Sequence, residues 1–409
     1  MPTSMEETFR AAVETGNLLP GAVLLAKDVT GHFSYASAFG TRSLKNSSSN
    51  PSLELDTVMR IASATKLVTS VAAMQCVERG LIGLDDDVKP LVPEMEGLQI
   101  LKGFDIEGKP IMEDPTEKIT LRRLLTHSSG YCYDFLSPLL MQWRKFNGQP
   151  APMYEGDRLT DRYGQPLTFE PGTQWMYSPS IDWAGRVVEC VYADTPLETI
   201  MEQNIWQPLG IKDMTFYLQR RPDMLAKCGD MTKVDQNTGK LVHSDEWFFE
   251  KDAESAFGGS SLFASPQEYM KILHSLLTND GKLLRPESVD EFFRPQLEDK
   301  PRQSMVEVLS KPHNHLMNSL NPAGKKDWGL GGILLLEDGP DEYSRKAGTM
   351  SWAGAFHCYW FIDRKEGLCG LFASQINDLT DPKLDGVKDL VRLFERTMYQ
   401  RLRNMSNNA

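Results

Sequence analysis

Ser63 and Lys66 stand three residues apart in Ile61-Ala62-Ser63-Ala64-Thr65-Lys66, and the chain holds no other Ser-x-x-Lys. Residues three apart on a helix share a face, so this spacing brings an amine beside a hydroxyl. At a helix start the backbone N–H groups are unpaired and the macrodipole is positive, which favours a developing oxyanion. A lysine held between a first turn and a core is partly desolvated and can serve as a base. The chemistry on offer is nucleophilic catalysis by an activated serine. Taken alone, the spacing fits a plain helix start with a snorkelling lysine equally well. A second reactive group lies downstream, where Glu170-Pro171-Gly172 leads through Trp175 to Tyr177-Ser178-Pro179-Ser180. A turn, a short extended stretch and a helix start place Tyr177 on a loop. There a phenol can project into a cleft and, beside a cation, act as a proton acceptor.

The elements that must position these groups follow from hydrophobic spacing. A helix is predicted over 63–79, with Leu67, Val68, Val71, Ala72 and Val77 on an apolar face and Gly80 ending it. Ser4-x-x-Glu7 is a capping-box pattern that opens an N-terminal helix. Strands are predicted over 21–28, 31–38, 332–336, 344–349, 357–362 and 368–374, and a final helix over 387–403. The middle of the chain reads as short helices broken by Pro and Gly. Two further capping boxes are expected there, at Thr195-Pro196-Leu197-Glu198 and Ser265-Pro266-Gln267-Glu268. Asn46-Ser47-Ser48-Ser49-Asn50-Pro51 reads as a surface loop. The fold class expected is α/β (α+β), with an antiparallel sheet built from both termini. Residues 1–83 and 287–409 would form that sheet domain and 84–286 a mainly helical insertion, with the cleft between them.

Composition narrows the partners. A formal net charge of −12 disfavours nucleic acid and anionic membrane surfaces, and no apolar run approaches the ~18 residues needed to span a bilayer. Six scattered cysteines, without Cys-x-x-Cys or a histidine at zinc spacing, read as reduced thiols rather than metal ligands. With no signal peptide at the N-terminus, a cytoplasmic location is expected. No metal or cofactor is called for.

Three segments in this order carry a family resemblance: Ile61-Ala62-Ser63-Ala64-Thr65-Lys66, then 119–130 with Leu124-Leu125-Thr126-His127-Ser128-Ser129-Gly130, then Glu170-Pro171-Gly172 leading to Tyr177-Ser178. Together they resemble the class C β-lactamase, penicillin-binding-protein and serine-esterase superfamily. Within it, the chain is most similar to the fungal lovastatin-type polyketide acyltransferases. Pro20-Gly21-Ala22-Val23, Ile181-Asp182-Trp183-Ala184-Gly185, Arg221-Pro222-Asp223-Met224-Leu225 and Gly329-Leu330-Gly331-Gly332-Ile333 carry that closer likeness.

The resemblance implies Ser63 as nucleophile, Lys66 as its base and Tyr177 as the group handling the alcohol proton. It also implies a third motif on the strand lining the site, with two candidates: Lys346-Ala347-Gly348, and the favoured Trp352-Ala353-Gly354. In the second case the N–H groups of Ala355 and Ser63 would form the oxyanion hole, with Trp352 and Gly354 alongside. Tyr133 matches a position near the acyl-binding cleft, where it lines the cleft or simply packs. Gly258 either faces Ser63 across the cleft or belongs to a plain turn. His127 is expected to bond locally at its helix end and not to act as a base. Two departures, Pro179 in place of an amide side chain and no Lys at the favoured third motif, argue against β-lactam recognition. The expected function is transfer of an acyl group from a small thioester or ester donor to the alcohol of a secondary metabolite, through an acyl-serine. An acyl carrier protein is a candidate carrier of the donor. Carboxylester hydrolysis is the alternative, followed by β-lactamase or D,D-peptidase activity and by an inactive binding scaffold.

Overall fold

The structure is a computed structural model that describes residues 4–45, 50–152, 156–245, 253–310, 324–377 and 385–407. Most of the loop expected at 46–51 lies outside these residues. Seven antiparallel strands form the main sheet: β1 Gly21–Asp28, β2 Ser34–Gly40, β3 Lys326–Trp328, β4 Ile333–Leu335, β5 Met350–Gly354, β6 Cys358–Asp363 and β7 Leu368–Ala373. Their spatial order is β3-β4-β5-β6-β7-β1-β2, so the sheet closes by pairing the N-terminal strand with the C-terminal one, Val23 opposite Ala373.

β6 and β7 are buried along their whole length because both faces of the sheet are covered. Alternate residues enter two different cores. Trp360, Ile362, Cys369 and Leu371 join the larger core with the central helix α2, Thr65–Glu78. Tyr359, Phe361, Leu368 and Phe372 pack on the other face with Phe9 of α1, Met5–Glu14, and with Val391, Phe394 and Met398 of the C-terminal helix Asp385–Asn407. The Ser4–Glu7 capping box is present at the start of α1.

α2 is buried on nearly every side, not on one face alone. Its polar side chains therefore need internal partners: Thr69 Oγ1 donates to Gly258 O at 2.6 Å, and Gln75 Nε2 to Asn204 O and Leu283 O. The chain between β2 and β3 is not helical throughout. It carries hairpins Ile100–Phe104 with Pro110–Glu113 and Met231–Val234 with Leu241–Ser244. Phe263–Ala264 also pairs with both Met59–Arg60 and Met214–Thr215.

Three local expectations need correction. Residues 344–349 are a turn and not a strand, since Gly348 has φ +89° and Thr349 N–H closes back on Lys346 O; the strand begins at Met350. Neither of the two further capping boxes forms. Glu198 instead accepts from Thr215 Oγ1 and Phe216 N–H, and Glu268 from Lys212 N–H and Lys271 Nζ. In both cases a tertiary donor outcompetes the local one.

Candidate active site

Ser63 does not sit inside the first α-helical turn. It occupies a single 3₁₀ turn, Ala62–Ala64, that precedes α2. Ala62 has φ +44°, a left-handed conformation that costs an L-residue about 1–2 kcal/mol. The surroundings hold it there. Thr65 Oγ1 donates to Ala62 O at 2.6 Å, Tyr269 Oη to Ala64 O at 2.9 Å, and Ile61 N–H to Leu262 O at 3.2 Å. One residue further back, Gln375 brackets Arg60 through both its backbone N–H and its carbonyl. Flanked by buried Ala62 and Ala64, Ser63 keeps partial access to solvent.

Lys66 is 1% exposed and has three hydrogen bonds: to Ser63 Oγ at 3.3 Å, to Tyr133 Oη at 3.2 Å and to Gly259 O at 2.8 Å. Its ammonium also lies 4.7 Å from the ring centre of Tyr177, within cation–π range. The Tyr177 hydroxyl accepts the indole N–H of Trp352 at 3.2 Å, so β5 reaches this cluster through Trp352. Ser63, Lys66, Tyr177, Tyr133 and Trp352 are thus brought together in one place. Tyr133, left open between cleft and packing, bonds directly to the lysine. Burial pushes its phenol well above the usual tyrosine range, so it is neutral there. The buried Asp134–Arg144 ion pair anchors the chain next to it, with Arg144 also donating to Gln165 Oε1.

Gly354 ends β5 against the segment that delivers Ser63. A Cβ there would lie 2.0 Å from the carbonyl oxygen of Ile61, so only glycine allows this approach. Ala355, the next residue, packs with Ala62, Met231 and Phe356. The other third-motif candidate points elsewhere, with Lys346 Nζ donating to Asp341 O at 3.1 Å and to Glu342 O. Gly258 O accepts from Thr69, and Gly259 next to it accepts from Lys66, which puts Gly258 beside the cluster.

Two residues of the site have places that sequence reasoning missed. The ring of His127 does not bond locally at its helix end; only its backbone N–H does, to Leu124 O. Its Nδ1 pairs with Ser178 Oγ at 3.0 Å, and Ser178 continues through Ser180 to Ser129. Its ring lies 4.8 Å from that of Tyr177, and burial, with the charge of Lys66, holds it well below the usual histidine range. Asp182, on the helix Ser180–Val191, is 1% exposed and accepts from Gly259 N–H at 2.9 Å. The sequence showed Asp182 only as part of a motif, with nothing to connect it to residue 259.

An amine against a hydroxyl, walled by two phenols and an indole, is equipped for acyl transfer through a serine ester. The family model described as Beta-lactamase matches residues 5–391. The chain belongs to the beta-lactamase family. Among its relatives in that family is the monacolin J acid methylbutanoyltransferase of Aspergillus terreus, 40% identical over 398 residues, covering 97% of this chain and 95% of the relative. A lovastatin esterase of Penicillium rubens is also 40% identical, over 97% of this chain and 98% of its own. The solved structure of an Aspergillus terreus simvastatin synthase, the LovD6 mutant of LovD, superposes with a TM-score of 0.91 at 42% identity, covering 98% of this chain and 95% of that one. The fold is therefore β-lactamase/transpeptidase-like and the protein is an acyl-transfer enzyme of that family. Among the described residues, no helix is long and apolar enough to cross a membrane and no cluster of side chains suits a metal ion.

Proposed function

We propose that this enzyme moves a short acyl group from a thioester to the alcohol of a polyketide-type secondary metabolite, through an ester on Ser63. The observation that carries the reading is the 3.3 Å contact between Lys66 Nζ and Ser63 Oγ, in a site that buries the lysine. With the lysine neutral, that contact runs from hydroxyl to amine. The Ser63 proton passes to Nζ, Oγ bonds to the carbonyl carbon, and the thiolate leaves with a proton from the site. The oxyanion would be met by the N–H groups of Ser63 and Ala355, a role supported by the packing of Ala355 against Ala62. The acceptor alcohol then attacks the ester carbonyl and the acyl–Oγ bond breaks; the alcohol proton passes to the Lys66–Tyr177 pair and from Lys66 Nζ to the departing Ser63 Oγ, which restores the hydroxyl. Trp352 orients the Tyr177 hydroxyl, Tyr133 fixes Lys66, and Gly354 and Gly258 let the backbone close around them.

The choice of acceptor rests on the full-length relative that acts on monacolin J acid. A hydrolytic second reading is favoured by the equally similar lovastatin esterase. The six cysteines are all free, four of them buried, which supports a reducing, cytoplasmic setting. Intact-mass spectrometry with a panel of acyl thioesters, including one on an acyl carrier protein, tests the proposal. A mass gain of one acyl group on wild type and none on Ser63→Ala is expected, with the adduct discharged faster by a polyketide alcohol than by water. Discharge at the same rate with and without alcohol would establish the hydrolase, and no adduct from any donor would refute both readings.

A further inference from the structure

All three hydrogen-bond acceptors of Lys66 are uncharged, so its positive charge has no contacting counter-ion among them. We propose that Asp182 is the counter-charge and positioning residue of this site, acting on Lys66 through Gly259 without touching it; the proposal rests on the reading of Lys66 as the base of Ser63.

The geometry is a clamp on one residue. Asp182 Oδ1 accepts the Gly259 N–H at 2.9 Å, and the carbonyl of Gly259 accepts Lys66 Nζ at 2.8 Å. Thr69 Oγ1 secures the preceding carbonyl, that of Gly258, at 2.6 Å. The carboxylate stands where a side chain at 259 would be, since a Cβ there would lie 2.2 Å from Oδ2. Among the described residues, Oδ2 has no hydrogen-bond partner although Asp182 is only 1% exposed. A half-satisfied buried carboxylate is costly, and holding Gly259 would need only a neutral acceptor such as an amide. The charge is what an amide would lack.

The groups facing Asp182 are Lys66 on α2, Arg162 and Tyr163 on the helix Leu159–Tyr163, and Tyr133. Those around Lys66 are Tyr133, Tyr177 and His127. Both Tyr133 and His127 are held neutral by burial, so the charges near the pair are Arg162 beside Asp182 and, behind Tyr133, the Asp134–Arg144 ion pair, whose two charges offset each other. Burial pushes the Asp182 carboxyl up to about 6, while Lys66, the Gly259 N–H and Arg162 each favour its ionised form. Standing behind Gly259 has a chemical advantage. A direct salt bridge would take one of the three lysine donors and draw Nζ away from Ser63 Oγ. A carboxylate one residue removed balances the charge and leaves that contact free.

The test uses the full chain carrying Asp182→Asn, which retains an acceptor for Gly259. The acid limb of kcat/KM for acyl-thioester turnover is expected to move about one pH unit toward acid, because loss of a neighbouring anion makes the protonated amine easier to discharge. KM for the thioester should stay within about threefold, since the residue does not touch substrate. Asp182→Ala, which also frees Gly259, should lower kcat at least about tenfold. An acid limb superimposable on that of wild type overturns the proposal. Should the asparagine variant not fold, the wild-type Asp182 carboxyl carbon can be titrated by NMR and compared with Lys66→Met. Removing the cation should raise the midpoint, and an unchanged midpoint overturns the proposal. This titration needs no turnover, so its failure is distinguishable from failure of the acyl-serine reading, which the Ser63→Ala adduct experiment addresses.

Discussion

Replacing Gly354 by alanine tests whether the approach of β5 to the nucleophile segment is a condition of activity. The added Cβ would meet the Ile61 carbonyl oxygen at 2.0 Å and its carbonyl carbon at 3.0 Å, with Cys358 Cβ at 3.3 Å. Side-chain rotation cannot relieve this, because the atoms are backbone and the residue lies two before Ser63. Contacts below 3.0 Å are essentially unseen for real Cβ atoms, so the two segments must part by about 1 Å at least. Overpacking of this kind costs about 1–3 kcal/mol of stability. A displacement of about 1 Å at reacting groups costs about 100-fold in rate. Gly354→Ala should therefore melt lower yet remain folded, while kcat/KM for acyl-thioester turnover falls about 100-fold. Gly229→Ala is the control: its Cβ would find ordinary contacts of 3.4 Å or more, and near wild-type values are expected. If Gly354→Ala kept kcat/KM within about threefold of wild type, the account of β5 as a rigid wall of the site would be wrong.

Three further outcomes follow from the same geometry. Trp352→Phe keeps a ring against Tyr177 but deletes the N–H that its hydroxyl accepts, so kcat should fall about tenfold with KM little changed, as steady-state kinetics would show. Lys346→Met should leave kcat/KM within twofold or so and cost only ~1 kcal/mol in a denaturant melt, because that ammonium serves two loop carbonyls; a large loss of activity would revive Lys346-Ala347-Gly348 as the third motif. The folded chain disfavours protonated His127, whereas an unfolded histidine takes up a proton below about pH 6.5. Its contribution is therefore complete above that pH and lost as pH falls toward the depressed folded value. His127→Asn tolerates φ +58° and can still reach Ser178, so its melting temperature should fall less than that of wild type between pH 7 and 5.

The parts of the site legible in the sequence were those whose geometry is local. Ser63 and Lys66 come together because three residues of helical backbone bring them together, 3₁₀ turn or not. Tyr177 could be placed on a loop by the Glu170-Pro171-Gly172 turn before it, but not over the lysine. The Asp182–Gly259 bond spans 77 residues, and that of His127 with Ser178 spans 51. Neither pair has a spacing rule. The strand expected at 344–349 was misplaced for another reason. Ser344-Arg345-Lys346-Ala347-Gly348-Thr349 holds a single β-branched residue and Met350-Ser351-Trp352-Ala353-Gly354 holds none, so local propensity does not favour the segment that pairs. Which of them pairs is decided by burial against the nucleophile segment, a tertiary effect.

Half of the left-handed residues that are not glycine gather around one point. Among the described residues, six that are not glycine have positive φ. Ala62 immediately precedes Ser63, His127 packs on Tyr177, and His357 closes the three-residue loop that begins with Ala355. The two closest glycine exclusions described above, at 354 and 259, hold the backbone before Ser63 and the carbonyl bonded to Lys66. Strain of this kind survives only where the surroundings over-determine it. Here the surroundings are α2 and the two central strands, buried almost throughout. The arrangement separates two tasks. The core fixes where the reacting atoms stand, and the charges of Asp182 and Lys66 fix when the proton moves. Substitutions in the first group should alter rate at every pH, whereas Asp182→Asn, which keeps Lys66 and the acceptor for Gly259, should slide the pH profile while leaving its plateau nearly intact.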